Sequence, residues 1–301
     1  MAYVTGSAGN LNDLLLALQQ ACTANGWTLT GAVLSKGACF VQPGIAGNYL
    51  SLIGGNGLDG AGALVAPGPM TAGMGPIWST EPFGFPLTYE VHVLSAPDEV
   101  YLVVNYAVDR YQWFAFGCSP VPGLPGTGNW YGASLGQIAP YYYAITMQPT
   151  NGANYPNSIA PALFWNTNAY DGRSSTFHHG LDGGGWAWGQ GYNYGAAVAD
   201  ALYPTVPSLS RQPNTWNGET VLIPIQPFIT RPANKVSMIG DLAHARYLRN
   251  DNLGAGQLLT LGPDRWKTYP WYRKNASGRD GANYNGTDTG TFGWAVRYTG
   301  P

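Results

Sequence analysis

Charge is scarce in this sequence. Asp, Glu, Lys and Arg make up 10% of its 301 residues, against roughly 25% in an ordinary soluble domain. A monomer keeps itself in solution largely through surface charge, so the shortage points to a surface covered by partners. The few charges nearly cancel, leaving a net −2. That balance argues against a nucleic-acid role, which requires a basic patch. No run of about 18 apolar residues occurs, which argues against a membrane-spanning helix. The start, MAYVTGSAGN, has neither the basic nor the apolar segment of a secretory signal, so none is expected.

Cysteine is limited to Cys22, Cys39 and Cys118. An odd number, wide spacing and apolar neighbours fit reduced core thiols rather than a disulfide frame or a zinc site. The glycines between 54 and 78 are followed by no Gly-Lys-Ser/Thr, which rules out a phosphate-binding loop. HExxH and GxSxG are missing, and no spacing among the 16 acidic residues singles out a glycosidase pair. No catalytic residue, cofactor or metal is assigned. The expectation is a protein that is not an enzyme.

What fills the space is glycine and aromatic residues: 42 Gly, 20 Tyr and 11 Trp. The pattern predicts an α+β, mainly β fold, with an N-terminal helix packed on antiparallel strands and a Gly/Tyr/Trp-rich loop insertion. Leu11, Leu15, Leu18 and Cys22 recur at helical spacing, Asn10 can cap the start, and Asn25-Gly26 supplies a stop. A hairpin and a third strand are expected to follow, then a long Gly/Pro-rich loop over 54–78. Residues 88–118 predict a three-stranded meander turning at Pro97-Asp98. In its last strand Tyr111, Trp113 and Ala115 face one way and Gln112, Phe114 and Phe116 the other, so neither face meets water. Three segments result: a core over 1–120, a Gly/Asn/aromatic insertion over 121–215, and a β segment over 216–301 that completes the core.

Four candidate features remain. His178 and His179 are adjacent, so on a strand they point apart, and they read as a pair bonded to backbone rather than as metal ligands. Trp186, Trp188, Tyr192 and Tyr194 alternate in GWAWGQGYNYG and can share one strand face. Such a face suits glycan stacking or a protein partner equally. Asp109-Arg110 sits at a strand connection, where it can hold a turn or meet a neighbouring subunit, next to Trp113. In GPDRWKTYPWYRKN, Arg265 and Lys267 beside Trp266 and Trp271 suggest cationic stems lying over rings within the framework.

Three blocks carry a family resemblance: DLLLALQQACTANGWTL…VLSKGACFV, PDEVYLVVNYAVDRYQWFAFG…LPGTGNWYGASLG, and HARYLRNDNLGAGQLLTLGPDRWKTYPWYRKN. In content and order they resemble a set of tailed-bacteriophage virion proteins, over most of the chain except 140–215. The resemblance implies a non-enzymatic structural component of the particle, in the tail tip or baseplate. It would be assembled in the host cytoplasm, in contact with copies of itself and other virion proteins. It carries over no active residue. An alternative is a host-surface adhesin binding glycan through the insertion.

Overall fold

The computed structural model describes residues 1–76, 82–119, 121–138, 141–143, 147–148, 158–159, 164, 175–188, 220–277 and 289–301. Its helix, Leu11–Thr23, begins where the sequence predicts. Asn10 Oδ1 accepts the Asp13 amide at 3.0 Å, satisfying one of the free N–H groups of the first turn. Leu14, Leu18, Ala21 and Cys22 are buried, with Leu11 and Leu15 packed against the edge of the core. Beyond Ala24, Gly26 adopts φ +84° and turns the chain out of the helix.

The meander forms as expected, from strands Leu87–Leu94, Glu99–Ala107 and Arg110–Cys118. It is the centre of a seven-stranded antiparallel sheet, the middle sheet. Ala2–Ala8 pairs along Leu87–Leu94 at one edge. On the other side Arg110–Cys118 is followed by Asn129–Ala133, Ser175–His178 and Trp186–Trp188. A second seven-stranded sheet contains Thr28–Thr30, Val33–Lys36, Cys39–Ala46, Tyr49–Gly55, Thr71–Met74, Leu135–Ile138 and Tyr141–Tyr143. A third, five-stranded sheet runs in the order Ile223–Ile225, Leu242–Arg249, Phe292–Arg297, Asp264–Pro270 and Leu258–Leu261.

These sheets stack in three layers, and the alternation of one strand shows why. Along Arg110–Cys118, Gln112 reaches Gly75, just after the Thr71–Met74 strand of the second sheet, whereas Trp113 meets Trp271 and Trp294 from the third-sheet segment. Phe116 packs edge-on against Trp27, just after the helix, at 5.2 Å. Tyr101, on the opposite face, lies 5.7 Å from Trp294. Helix and second sheet thus cover one face of the middle sheet, and the third sheet covers the other. Rings on both faces of a strand mean that both faces are cores. One contiguous cluster of buried apolar residues runs through all three layers.

Three expectations need correction. The opening residues 2–8, given no element from sequence, are an edge strand of the middle sheet. The 54–78 loop contains the Thr71–Met74 strand, and its Gly54 and Gly68 lie against the chain's own Tyr131. The boundary at 121 cuts through the core: Asn129–Ala133 is buried at every residue and Ser175–His178 lies next to it. Strands buried on both faces show no polar alternation, so GNWYGAS has the look of loop. Ile223–Ile225 is an edge strand, which suits Pro224. Among the described residues no helix is long and apolar enough to cross a membrane.

Candidate functional site

Two residues expected in the framework, Trp113 and Trp271, come together. Trp271 and Trp294 stack with centroids 4.7 Å apart at 11°, and Trp113 meets Trp271 edge-on at 5.6 Å and Trp294 at a tilt at 5.9 Å. Tyr247, Tyr269 and Tyr101 close around them within 6 Å. All three tryptophans are buried. Trp113 and Trp271 therefore pack inside the chain and present nothing to another subunit. Trp266 is buried on the outer side of the third sheet, with Leu248, Leu253 and Ala295, under the Arg246 guanidinium at 5.0 Å. Arg265 lies over Tyr298 at 4.8 Å, and Lys267 over Tyr3 at 4.8 Å. The expected cationic stems over aromatic rings are in place.

Asp109 takes φ +56° in the turn between Glu99–Ala107 and Arg110–Cys118, a conformation that Asp tolerates better than most residues. Asn105 Nδ2 donates to the Ala107 and Arg110 carbonyls and ties the turn together. Arg110 forms a bridge with Arg273, and the Tyr111 amide donates to Tyr272 O at 2.9 Å. The Asp109-Arg110 connection thus joins the middle sheet to the segment after Pro270. Val108, beside it, is 87% exposed.

Trp186 is half-buried. Its ring meets Tyr131 at 5.7 Å and His178 at 5.0 Å, both edge-on, and its indole N–H donates to Ala66 O at 2.9 Å. The directional hydrogen bond a sugar-binding tryptophan would offer is already used. Tyr131 explains the glycines opposite: a Cβ on Gly54 would come within 2.6 Å of its ring, and one on Gly68 would overlap its hydroxyl. The Trp188 backbone ends the Trp186–Trp188 strand, while its side chain, Tyr192 and Tyr194 lie outside the described residues.

His178 accepts the Thr127 amide at Nδ1, 3.1 Å, so its proton is on Nε2. The Asn56 amide lies 2.9 Å from that Nε2, and its oxygen is the partner the proton requires. His179 Nδ1 accepts the Leu181 amide at 3.2 Å. Burial holds both imidazoles below their usual range. As expected, the pair bonds to neighbouring loops. Among the described residues no cluster of His, Cys, Asp and Glu could hold a metal.

Sequence reasoning missed the polar groups that join the layers. Gln112 both donates to Gly75 O (2.7 Å) and accepts from Gly75 N (2.8 Å). Asn129 donates to Phe40 O (3.0 Å) and Gly55 O (2.8 Å), and accepts from the Cys39 thiol (3.2 Å). Glu99 is fully buried and accepts from Tyr101 Oη (2.7 Å) and from the Ala243 and His244 amides (2.8 and 3.0 Å). Burial nevertheless pushes its carboxyl up to about 7. Glu90 Oε2 accepts from Tyr3 Oη (2.8 Å) and Tyr269 Oη (2.6 Å) and pairs with Lys267 at 2.6 Å. Because the Tyr269 hydroxyl donates to Glu90, its oxygen accepts from His92 Nε2 at 2.9 Å. Although burial opposes ionisation, these three donors hold the Glu90 carboxyl below its usual range. Each such cluster is closed on itself and joins two layers.

Replacing Asn129 with alanine removes the donor for two buried carbonyls. We expect a loss of about 2–3 kcal/mol, read as a lower denaturant midpoint with unchanged slope. A midpoint unchanged from the parent would show that the carbonyls find other donors.

The outer strands differ from these closed clusters. Thr28–Thr30 ends the second sheet and is exposed at all three residues, with Leu29 39% exposed. Leu258–Leu261 ends the third sheet, with Leu258 41% and Leu261 60% exposed. Neither strand carries a charge. Exposed edges of this kind offer unpaired N–H and C=O groups and are ordinarily blunted by Lys, Pro or a bulge. No protein-family model and no curated protein matches this chain.

Proposed function

We propose that the chain is a non-enzymatic structural component of a bacteriophage particle, at the tail tip or baseplate, that assembles with copies of itself and with other virion proteins. The observation that carries the assembly reading is the pair of uncharged edge strands with exposed leucines, on a chain so poor in charge. Strand addition there would satisfy backbone groups and cover Leu29, Leu258 and Leu261 together. The internal construction suits a load-bearing part, because its polar clusters join one layer to the next. The particle itself is read from the blocks that resemble virion proteins.

The edge strands give the test. Leu258→Lys with Leu261→Lys places two cations on an exposed edge and disturbs little of the core. The parent is expected to self-associate at high concentration in light scattering, and the double variant to remain monomeric with its melting temperature nearly unchanged. A parent that stays monomeric and is absent from purified particles would remove the reading. Trp186, with its N–H bonded to Ala66, gives no support to the adhesin alternative.

A further inference from the structure

Two of the three cysteines stand side by side across the first layer boundary. Cys39 opens the Cys39–Ala46 strand of the second sheet, and Cys118 ends the Arg110–Cys118 strand of the middle sheet. Cys118 shares the face of Gln112, Phe114 and Phe116, the face on which the second sheet packs. Its cross-strand partner is Asn129, whose Oδ1 accepts the Cys39 thiol at 3.2 Å. A second route gives the same placement. Cys39 pairs with Lys36, Lys36 binds Asp98 at 2.8 Å, and the Cys118 amide donates to Asp98 O at 3.0 Å. Cys39 and Cys118 therefore both flank Asn129, one bonded to its side chain and the other opposite it in the strand register. Both are free, as is Cys22 in the helix.

We propose that Cys39 and Cys118 are a dithiol that closes to a disulfide under oxidising conditions, cross-linking the middle and second sheets. The oxidant is a low-molecular-weight disulfide such as oxidised glutathione. Cys118, partly exposed, is the thiol it reaches first, since Cys39 is buried and burial keeps its thiol protonated. The Cys118 thiolate attacks one glutathione sulfur and displaces a glutathione thiolate, leaving a mixed disulfide. The Cys39 sulfur then attacks the Cys118 sulfur. The second glutathione thiolate departs and takes up the Cys39 proton. Two protein thiols are oxidised and one glutathione disulfide is reduced to two thiols. The bond closes a long loop, so its gain lies largely in constraining the unfolded chain.

The inference rests on the two thiols alone and is independent of the virion reading. For a chain made in a reducing compartment and released into an oxidising one, it would stiffen the protein after release.

The full-length chain, incubated with oxidised glutathione without denaturant, gives the test. We expect intact mass to fall by two hydrogens, digestion to yield a peptide joining Cys39 to Cys118, and the melting temperature to rise by several degrees. Cys22→Ser should leave all three results unchanged. Cys39→Ser should stop at the glutathione adduct on Cys118, with no rise in melting temperature. Three thiols still titratable after oxidation, an adduct that persists on Cys118 in the parent, or a bridge to Cys22 would each overturn the proposal.

Discussion

Trp294→Ala is expected to lower the unfolding free energy by about 4 kcal/mol, within the usual range for deleting a buried tryptophan. Trp294 is fully buried and touches Trp271, Trp113, Tyr101 and Tyr269, so its removal opens a void at the contact between middle and third sheets. A domain stable by roughly 5–15 kcal/mol would be left near its folding threshold. Trp294→Phe separates packing from hydrogen bonding. Among the described residues the Trp294 N–H meets no acceptor, so no hydrogen bond is lost and the cost should fall to about half. Val108→Ala, at a residue 87% exposed, should change stability by less than about 0.5 kcal/mol. Denaturant titration of the three variants is the check. A Trp294→Ala midpoint close to that of Val108→Ala would show that the third layer is not held as described.

The second large effect is on acid stability. Burial lowers His92 from its ordinary 6.5 to about 4, and His244 likewise to about 4. Between these values the unfolded chain binds protons that the native chain excludes, so stability is full above 6.5 and is lost as pH falls towards 4. For fully buried His92 the loss amounts to roughly 3 kcal/mol. Glu99 works the other way. Burial raises its carboxyl from 4.5 to about 7, so the native chain holds a proton that the unfolded chain has released. Its contribution is full below 4.5 and is lost as pH rises through 7. From 4.5 to 6.5 the four histidines, all held below their usual range, outweigh one carboxyl and stability climbs. Above 6.5 the histidine gain fades while the Glu99 decline runs on to about 7. A maximum close to pH 7 is therefore expected in unfolding free energy measured against pH.

Two variants assign the limbs of that curve. His92→Gln should reduce the acid slope by about one proton, and Glu99→Gln should remove the decline above the maximum. Above pH 7, where Glu99 is ionised, Glu99→Gln also lowers stability, because an amide cannot accept from Tyr101 and both backbone amides as a carboxylate does. Slopes unchanged by both variants would place the titrating groups elsewhere.

The sequence by itself determined the local elements. Leucines at helical spacing, an Asn cap and a Gly stop were enough for Leu11–Thr23. The Pro97-Asp98 turn between two apolar runs was enough for the meander, and rings on both faces of Arg110–Cys118 already required two covering layers. Each of these signals lies within about 30 residues of chain.

Tertiary structure alone decided what does the covering. Ala2–Ala8 becomes a strand because the edge of Leu87–Leu94 is open to it, and no periodicity of its own announces that. Asn129, Gln112 and Glu99 look like ordinary polar residues in sequence. Each becomes a pin between layers because its partners are backbone groups brought together only by packing. Cys39 and Cys118 looked like isolated core thiols until two stacked sheets brought both beside Asn129. Pattern along a chain encodes which face must leave water, because burial depends on the residue alone. Which surface meets that face depends on pairings between distant segments, and these exist only once the layers have closed.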